Sequence, residues 1–193
     1  MYAAKIGRDV VAVEPFHDNI LRIHKAAKLE NLTNKITLIK NGISNKRNVI
    51  MELVADSQNI GGQFLKENSA LQTSKDKNNN YIVQTILFDD IIDYIPKRSD
   101  GQVYNKAIIK IDIEGFEVYA FEKANQFFKN FKVQMIFIEW NKVPKLPQED
   151  QPLIDKMLQL FYSNNLLPFS VQGYNLQKDA WRNWPQDVIW KTK

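Results

Sequence analysis

A chain of 193 residues, 44% hydrophobic and 25% charged with 7 Gly and 7 Pro, has the composition of a single globular domain and excludes a disordered, collagenous or membrane-spanning one. With no Cys there is no disulfide framework, thiolate metal site or Cys nucleophile, and 2 His are too few for a multi-histidine zinc site, although oxygen ligands remain. The net charge of +4 is spread evenly: residues 1–100 carry 14 Lys+Arg against 12 Asp+Glu and residues 101–193 carry 12 against 10, so nothing asks for a nucleic-acid partner.

In chain order, Asp9 to Glu14 is a short apolar run ending in a carboxylate and then Pro15, the pattern of a strand buried on both faces of a parallel sheet. From about Asp18 to Leu32, Ile20, Ile23 and Ala27 recur at helix spacing, and Ile36 to Ile39 is a second β-branched run closing at Asn41-Gly42. Residues 43–85 read as an antiparallel insertion. Val49, Met51 and Leu53 alternate with polar neighbours, Asn59-Ile60-Gly61-Gly62 is a turn signal, and Lys75 to Asn80 is a polar loop. Ile82 to Leu87 predicts a strand and Asp90 to Ile95 a short helix stopped by Pro96.

Ala107 to Ile113 is the most sheet-like run, followed by a helix over about Val118 to Lys129 and a buried strand from Val133 to Ile138. After the Pro144 and Pro147 loop, Ile154, Met157, Leu158 and Phe161 set a helix over Leu153 to Asn164. Late strands near Leu167 to Val171 and Asp187 to Trp190 suit an antiparallel pair at the edge of the sheet. Strands alternating with helices predict an α/β fold built on a parallel sheet, with residues 1–193 as one domain. Met135 to Ile138 is far too short to span a bilayer. The first seven residues lack the apolar stretch of a secretory signal, and the absence of Cys suits the cytoplasm as a default compartment, with a targeting segment ahead of a shortened start left open.

Ligands of open α/β sheets bind beyond the carboxyl ends of the strands, and carboxylates stand at three such ends: Glu14, the pair Asp112 and Glu114, and Glu139. Glu14 suits a ribose, whose two hydroxyls need a short rigid acceptor, although a solvated strand-end acid is the plainer reading. Period-2 geometry places Asp112 and Glu114 on one side of an extended chain, and Gly115 leaves room for the backbone to turn. Two carboxylates so close repel, so one titrates high or both share a cation or a hydrogen-bond donor. The bland alternative is a helix start with acids near its positive end. His17, next to the Glu14-Pro15-Phe16 corner, is a weak substrate candidate with Glu139, and His24 reads as an exposed helix residue. Trp181, Trp184, Trp190 and Tyr174 are expected to pack the late strands.

The blocks Val10-Val11-Ala12-Val13-Glu14-Pro15, Ile36-Thr37-Leu38-Ile39 with Asn41 and Ser44, Ile86-Leu87-Phe88-Asp89-Asp90-Ile91, Ile109-Lys110-Ile111-Asp112-Ile113-Glu114-Gly115-Phe116-Glu117 and Ile136-Phe137-Ile138-Glu139 stand in an order that resembles the FkbM family of S-adenosylmethionine-dependent methyltransferases. The resemblance runs from about residue 8 to 140, and more loosely to the end. It implies a Rossmann-like class I methyltransferase sheet with helices on both faces, and methyl transfer from S-adenosylmethionine to a hydroxyl of a sugar or other small-molecule acceptor. It implies that Glu14 holds the adenosine ribose, that Asn41 and Gly42 lie beside the adenine, and that Asp112 and Glu114 line the reacting centre, Asp112 also on the cofactor side. Gly61-Gly62 resembles a glycine pair of the family's insertion.

The sequence departs from the family at its start. Family members open with a strand running into a glycine-rich turn of the type Asp-x-Gly-x-Asn-x-Gly, and no such motif stands here. The first βα unit is therefore expected to be missing, leaving a gap between the strands that end at Glu14 and Asp112, with weak cofactor binding as the consequence. Two other readings stay open: a catalytically inactive interaction module of methyltransferase fold, and a nicotinamide-dinucleotide protein in which Glu14 serves the ribose equally well.

Overall fold

A computed structural model describes residues 1–54, 63–67, 79–98 and 100–192. The turn signal at Asn59 to Gly62 and most of the Lys75 to Asn80 loop lie outside them. The chain packs as two compact units, Met1–Arg98 and Ser99–Lys193. Their strands fall in three sheets, one parallel and two mixed, which makes an α/β fold.

In the first unit a short helix α1 (Tyr2–Lys5) precedes strand β1 (Val10–Val13), which pairs in parallel with β2 (Ile36–Ile39). Helix α2 (His17–Leu29) connects them, burying Ala27, with Ile20 and Ile23 half-buried on the same stripe. Lys35 Nζ ties the starts of both strands by pairing with Asp9 at 3.2 Å. The β1 side chains are all half-buried, not sealed on two faces as the apolar run suggests, because among the described residues β1 has one partner strand.

The second sheet has the order β3-β6-β4-β5, from β3 (Gly42–Ile43), β4 (Ile50–Val54), β5 (Phe64–Glu67) and β6 (Ile82–Ile86). β4 runs antiparallel to both β5 and β6, while β3 joins β6 in parallel. Alternation places Met51 and Leu53 inward, as period 2 requires. The one hydroxyl fully buried here, Thr85 Oγ1, donates to the Lys46 carbonyl at 2.7 Å and accepts the Val49 N–H at 3.1 Å, so its burial carries no unmade bond. The helix expected near Asp90 is a 3₁₀ segment, Phe88–Tyr94; Asp90 turns back to accept the Leu87 N–H at 2.9 Å and pairs with Arg47.

The second unit is a four-stranded sheet of order β7-β8-β10-β9, from β7 (Lys106–Ile111), β8 (Lys132–Glu139), β9 (Leu166–Ser170) and β10 (Asp187–Thr192). β7 and β8 are parallel, and β10 is antiparallel to both β8 and β9, so the late strands pair as their lengths suggested. Ile109, Ile136, Ile138, Val188 and Trp190 are buried, as are Ile154, Met157, Leu158 and Phe161 of α5 (Gln151–Ser163). Phe161 meets Phe121 edge-on at 4.7 Å and Trp190 at 4.9 Å.

The single helix expected over Val118 to Lys129 is two, α3 (Glu117–Glu122) and α4 (Asn125–Asn130). Between them the Lys123 N–H reaches only three residues back, to Ala120. That tight turn rotates the second segment, so Phe127 and Phe128 bury as well as Phe121. Trp181, Trp184 and Trp190 cluster with Trp140, but Tyr174 is 73% exposed and takes no part, since it sits in the short loop between β9 and the segment Lys178–Asn183. No helix among the described residues is long and apolar enough to cross a membrane.

Candidate active site

β7 and β8 are parallel neighbours, so their carboxyl ends emerge on one side, carrying Asp112 and Glu114 after the first and Glu139 at the end of the second. One ligand atom from each of the three lies within 4.8 Å of the others. The strand-end argument thus brings Glu139 to the acidic pair. The local geometry of the pair is different from an extended chain. β7 stops at Ile111, Glu114 takes a left-handed φ of 58° and Gly115 a φ of 100°, so the two acids converge through a turn. The φ, not crowding, calls for Gly115, since a Cβ there would come no closer than 3.6 Å to Lys142 Cδ.

Each carboxylate has a different partner. Lys142 Nζ pairs with Glu114, and Lys110 Nζ with Asp112 at 3.2 Å. Glu139 accepts from two neutral donors, Asn141 Nδ2 at 3.1 Å and Gln186 Nε2 at 3.0 Å, both on Oε1, and is also in hydrogen-bond contact with the Asp112 carboxyl. Burial first, and then the charges of Asp112 and Glu114, raise the Glu139 carboxyl above its ordinary range. The spacing of the three acids also suits a shared cation, but the two lysines already supply positive charge to two of them.

Beneath the turn lies Glu117, only 1% exposed, the one fully buried acid among the described residues. Its Oε1 accepts the Ile113 N–H at 3.0 Å, which holds the turn, while its Oε2 is buried without a partner. Desolvation raises this carboxyl above 4.5. The sign follows: stability is fully present below the unfolded value of 4.5 and is lost as pH rises through the higher folded value, because folding then holds a proton that the unfolded chain releases. Glu117→Gln, neutral throughout, should lose less stability than wild type as pH rises from about 4.5 to 8. Urea midpoints across that range check this; parallel curves for the two proteins would sink it.

The other named residues belong to the first unit. Glu14 stands just past β1, and its Oε1 accepts the Phe16 N–H at 2.8 Å; a carboxylate has about four acceptor positions, so capacity for ribose hydroxyls remains. Asn41 donates through Nδ2 to the Gln84 carbonyl at 2.8 Å, keeping its own oxygen for an acceptor role. Gly42 is buried, and a Cβ on it would come 2.7 Å from Leu65 Cδ1, so the space beside it is filled by that leucine. His17 is the half-buried first residue of α2, and His24 is exposed. Glu14 therefore keeps acceptor capacity of the kind that ribose hydroxyls need, while Leu65 fills the side-chain face of Gly42.

A family model described as the methyltransferase FkbM domain matches residues 1–175. The chain belongs to the FkbM methyltransferase family. Its fold is similar to that of a solved structure, the methyltransferase FkbM from Methylobacillus flagellatus KT, with a TM-score of 0.50, 16% sequence identity and 95% of this chain covered. The chain spans 36% of that protein's length. No curated protein matches it. Within the FkbM block Lys110 to Glu117, the acids that the resemblance singles out are two of the three that cluster. Sequence reasoning missed Glu117 as a support and Lys142, Asn141 and Gln186 as partners. Glu117 carries a local signal, an acid in the first helical turn able to reach back to a preceding N–H. Lys142 and Gln186 arrive through tertiary pairing and leave no such trace, whereas Asn141 stands only two residues after Glu139.

Proposed function

We propose that this protein transfers a methyl group from S-adenosylmethionine to a hydroxyl oxygen of a small-molecule acceptor, with Asp112, Glu114 and Glu139 as its catalytic carboxylates. The observation that carries this is their convergence to within 4.8 Å in a chain of the FkbM family. The reading takes residues 1–193 as one Rossmann-like methyltransferase domain, with Glu14 on the ribose, Asn41 and Gly42 toward the adenine and Asp112 on both sides of the reaction.

When bound, the cofactor supplies an electrophilic methyl on a sulfonium. The protein's part is to place the acceptor hydroxyl and take its proton. Glu139 is the proton acceptor in this assignment, because its two donors are neutral and its basicity is raised, whereas Asp112 and Glu114 each face a lysine. Asp112 and Glu114 orient the hydroxyl and raise the basicity of Glu139 through their charge. His17 is kept as a weak substrate contact.

Calorimetric titration with S-adenosylmethionine tests the cofactor assignment. Weak binding is expected, as the missing first βα unit implies, and Glu14→Ala should weaken it further by about 10–100-fold, the loss of a hydrogen bond to a charged acceptor. A protein that ignores S-adenosylmethionine but binds a nicotinamide dinucleotide, or neither, contradicts the proposal in favour of the dinucleotide or interaction-module reading.

A further inference from the structure

Glu117 is an acid that the proposed reaction does not use, yet it is fully buried and its Oε2 has no hydrogen-bond partner. Burial of an ionisable group costs stability that a methionine or leucine in the same place would not. We propose that Glu117 is a positioning residue, whose buried carboxyl fixes the turn that carries Asp112 and Glu114 towards Glu139. Its consequence for turnover rests on the methyltransferase reading above; its hold on the turn does not.

The turn needs a hold. Glu114 carries a side chain yet stands at a φ of 58°, with Gly115 after it at 100°. A left-handed residue with a side chain persists only where its surroundings over-determine it, and such residues gather at active sites. Within the turn the Phe116 N–H reaches the Ile113 carbonyl only at 3.3 Å, which is long for such a bond. Lys142 pairs with the Glu114 carboxylate, which draws the side chain and leaves the backbone to other contacts. The Glu117 carboxyl takes the backbone itself. Its Oε1 accepts the Ile113 N–H at 3.0 Å, and the amides of Glu117 and Gly115 draw on the same carboxyl less strongly. The amides of Ile113 and Gly115 flank Glu114, so the chain bends around one buried group at that residue.

Glu117 can act as a fixed point because the helix it opens is anchored. Val118 and Ala120 of α3 have no exposed surface, and Phe121 meets Phe161 of α5 edge-on at 4.7 Å. The turn is thereby referenced to the packed core. Glu139 is referenced to the same core, since Ile138 before it and Trp140 after it are both buried. One hydrogen bond, from Ile113 to Glu117, thus links the two halves of the carboxylate cluster through the interior. An apolar residue at 117 would pack equally well and leave that N–H unpaired.

Variants of the full chain test this by NMR and by turnover. Glu117→Gln loses the acid but keeps an oxygen for the Ile113 N–H, whereas Glu117→Asp keeps the acid and falls a methylene short of it. The intraresidue amide–Hα NOE of Glu114, strong at a positive φ, should persist in the Gln variant. In the Asp variant it should weaken, with faster amide exchange at Ile113. Methyl transfer should stay within a few-fold of wild type in Glu117→Gln and fall about 100-fold in Glu117→Asp, the scale of misplacing a reacting group by about 1 Å. Should the Asp variant fail to fold, Glu117→Met removes the acceptor at similar volume and carries the same expectation. An unchanged Glu114 NOE or full turnover in the folded disruptive variant, or a Gln variant as impaired as that one, overturns the proposal. The failure of the broader reading looks different: a wild type that transfers no methyl group, while Glu114 responds to the variants as expected, keeps Glu117 as the anchor of the acidic turn and removes the methyltransferase assignment.

Discussion

Glu139→Gln is expected to lower the rate of methyl transfer by about 10²–10⁴-fold, the usual contribution of a positioned general base. The substitution keeps the side-chain oxygen that accepts from Asn141 and Gln186, so its unfolding midpoint should stay near that of the wild type. What it removes is the capacity to take a proton. Asp112→Asn and Glu114→Gln should also impair turnover, and they carry a second signature. The rate falls in acid as Glu139 protonates, and burial first, then the neighbouring charges, hold its carboxyl above the ordinary range. Neutralising either neighbour therefore lowers that pKa and moves the acid limb of the pH–rate profile to lower pH. A limb that stays put in both variants, with turnover within a few-fold of wild type in all three, would mean that the cluster is structural.

Trp140→Ala should destabilise the second unit by about 3–5 kcal/mol, the usual cost of truncating a fully buried Trp or Phe. Trp140 has no exposed surface, and its indole Nε1 donates to the Trp181 carbonyl at 2.8 Å. Its ring lies 4.9 Å from Trp184 and 6.4 Å from Trp190, so truncation opens a cavity among aromatics that cannot easily collapse. The loss is large against a typical domain stability of about 5–15 kcal/mol. Because Trp140 follows Glu139 directly, the same packing fixes the strand end that presents the proposed base. Urea unfolding followed by tryptophan fluorescence measures the effect. A change below about 1 kcal/mol would show that the cluster is loosely packed.

Much of the second unit was readable because its apolar residues sit at clean periods. Ile154, Met157, Leu158 and Phe161 mark one face of α5, and the runs before Asp112 and Glu139 mark β7 and β8. Where one periodicity served two outcomes, the reading slipped. Residues Val118 to Lys129 suit a continuous helix, and the break at Lys123 follows from burying three phenylalanines at once. The acids were found by position at strand ends, a topological rule that holds whatever the local conformation. The turn that joins Asp112 to Glu114 was not, since a left-handed Glu114 has no sequence signature. The ion pair of Lys142 with Glu114, 28 residues away, and the Tyr119–Asp150 bond 31 residues apart arise from folding and are invisible to spacing, whereas Lys110 and Asp112 stand only two apart.

In the function proposed above, the three clustered carboxylates support methyl transfer to oxygen. Incubating the protein with methyl-labelled S-adenosylmethionine and a panel of hydroxyl acceptors, then locating the label by mass spectrometry, tests it most directly. A labelled O-methyl product is expected from the wild type, with a yield lower by about 100-fold or more from Glu139→Gln. Label on nitrogen or carbon, no labelled product from any acceptor, or equal product from the variant would contradict it.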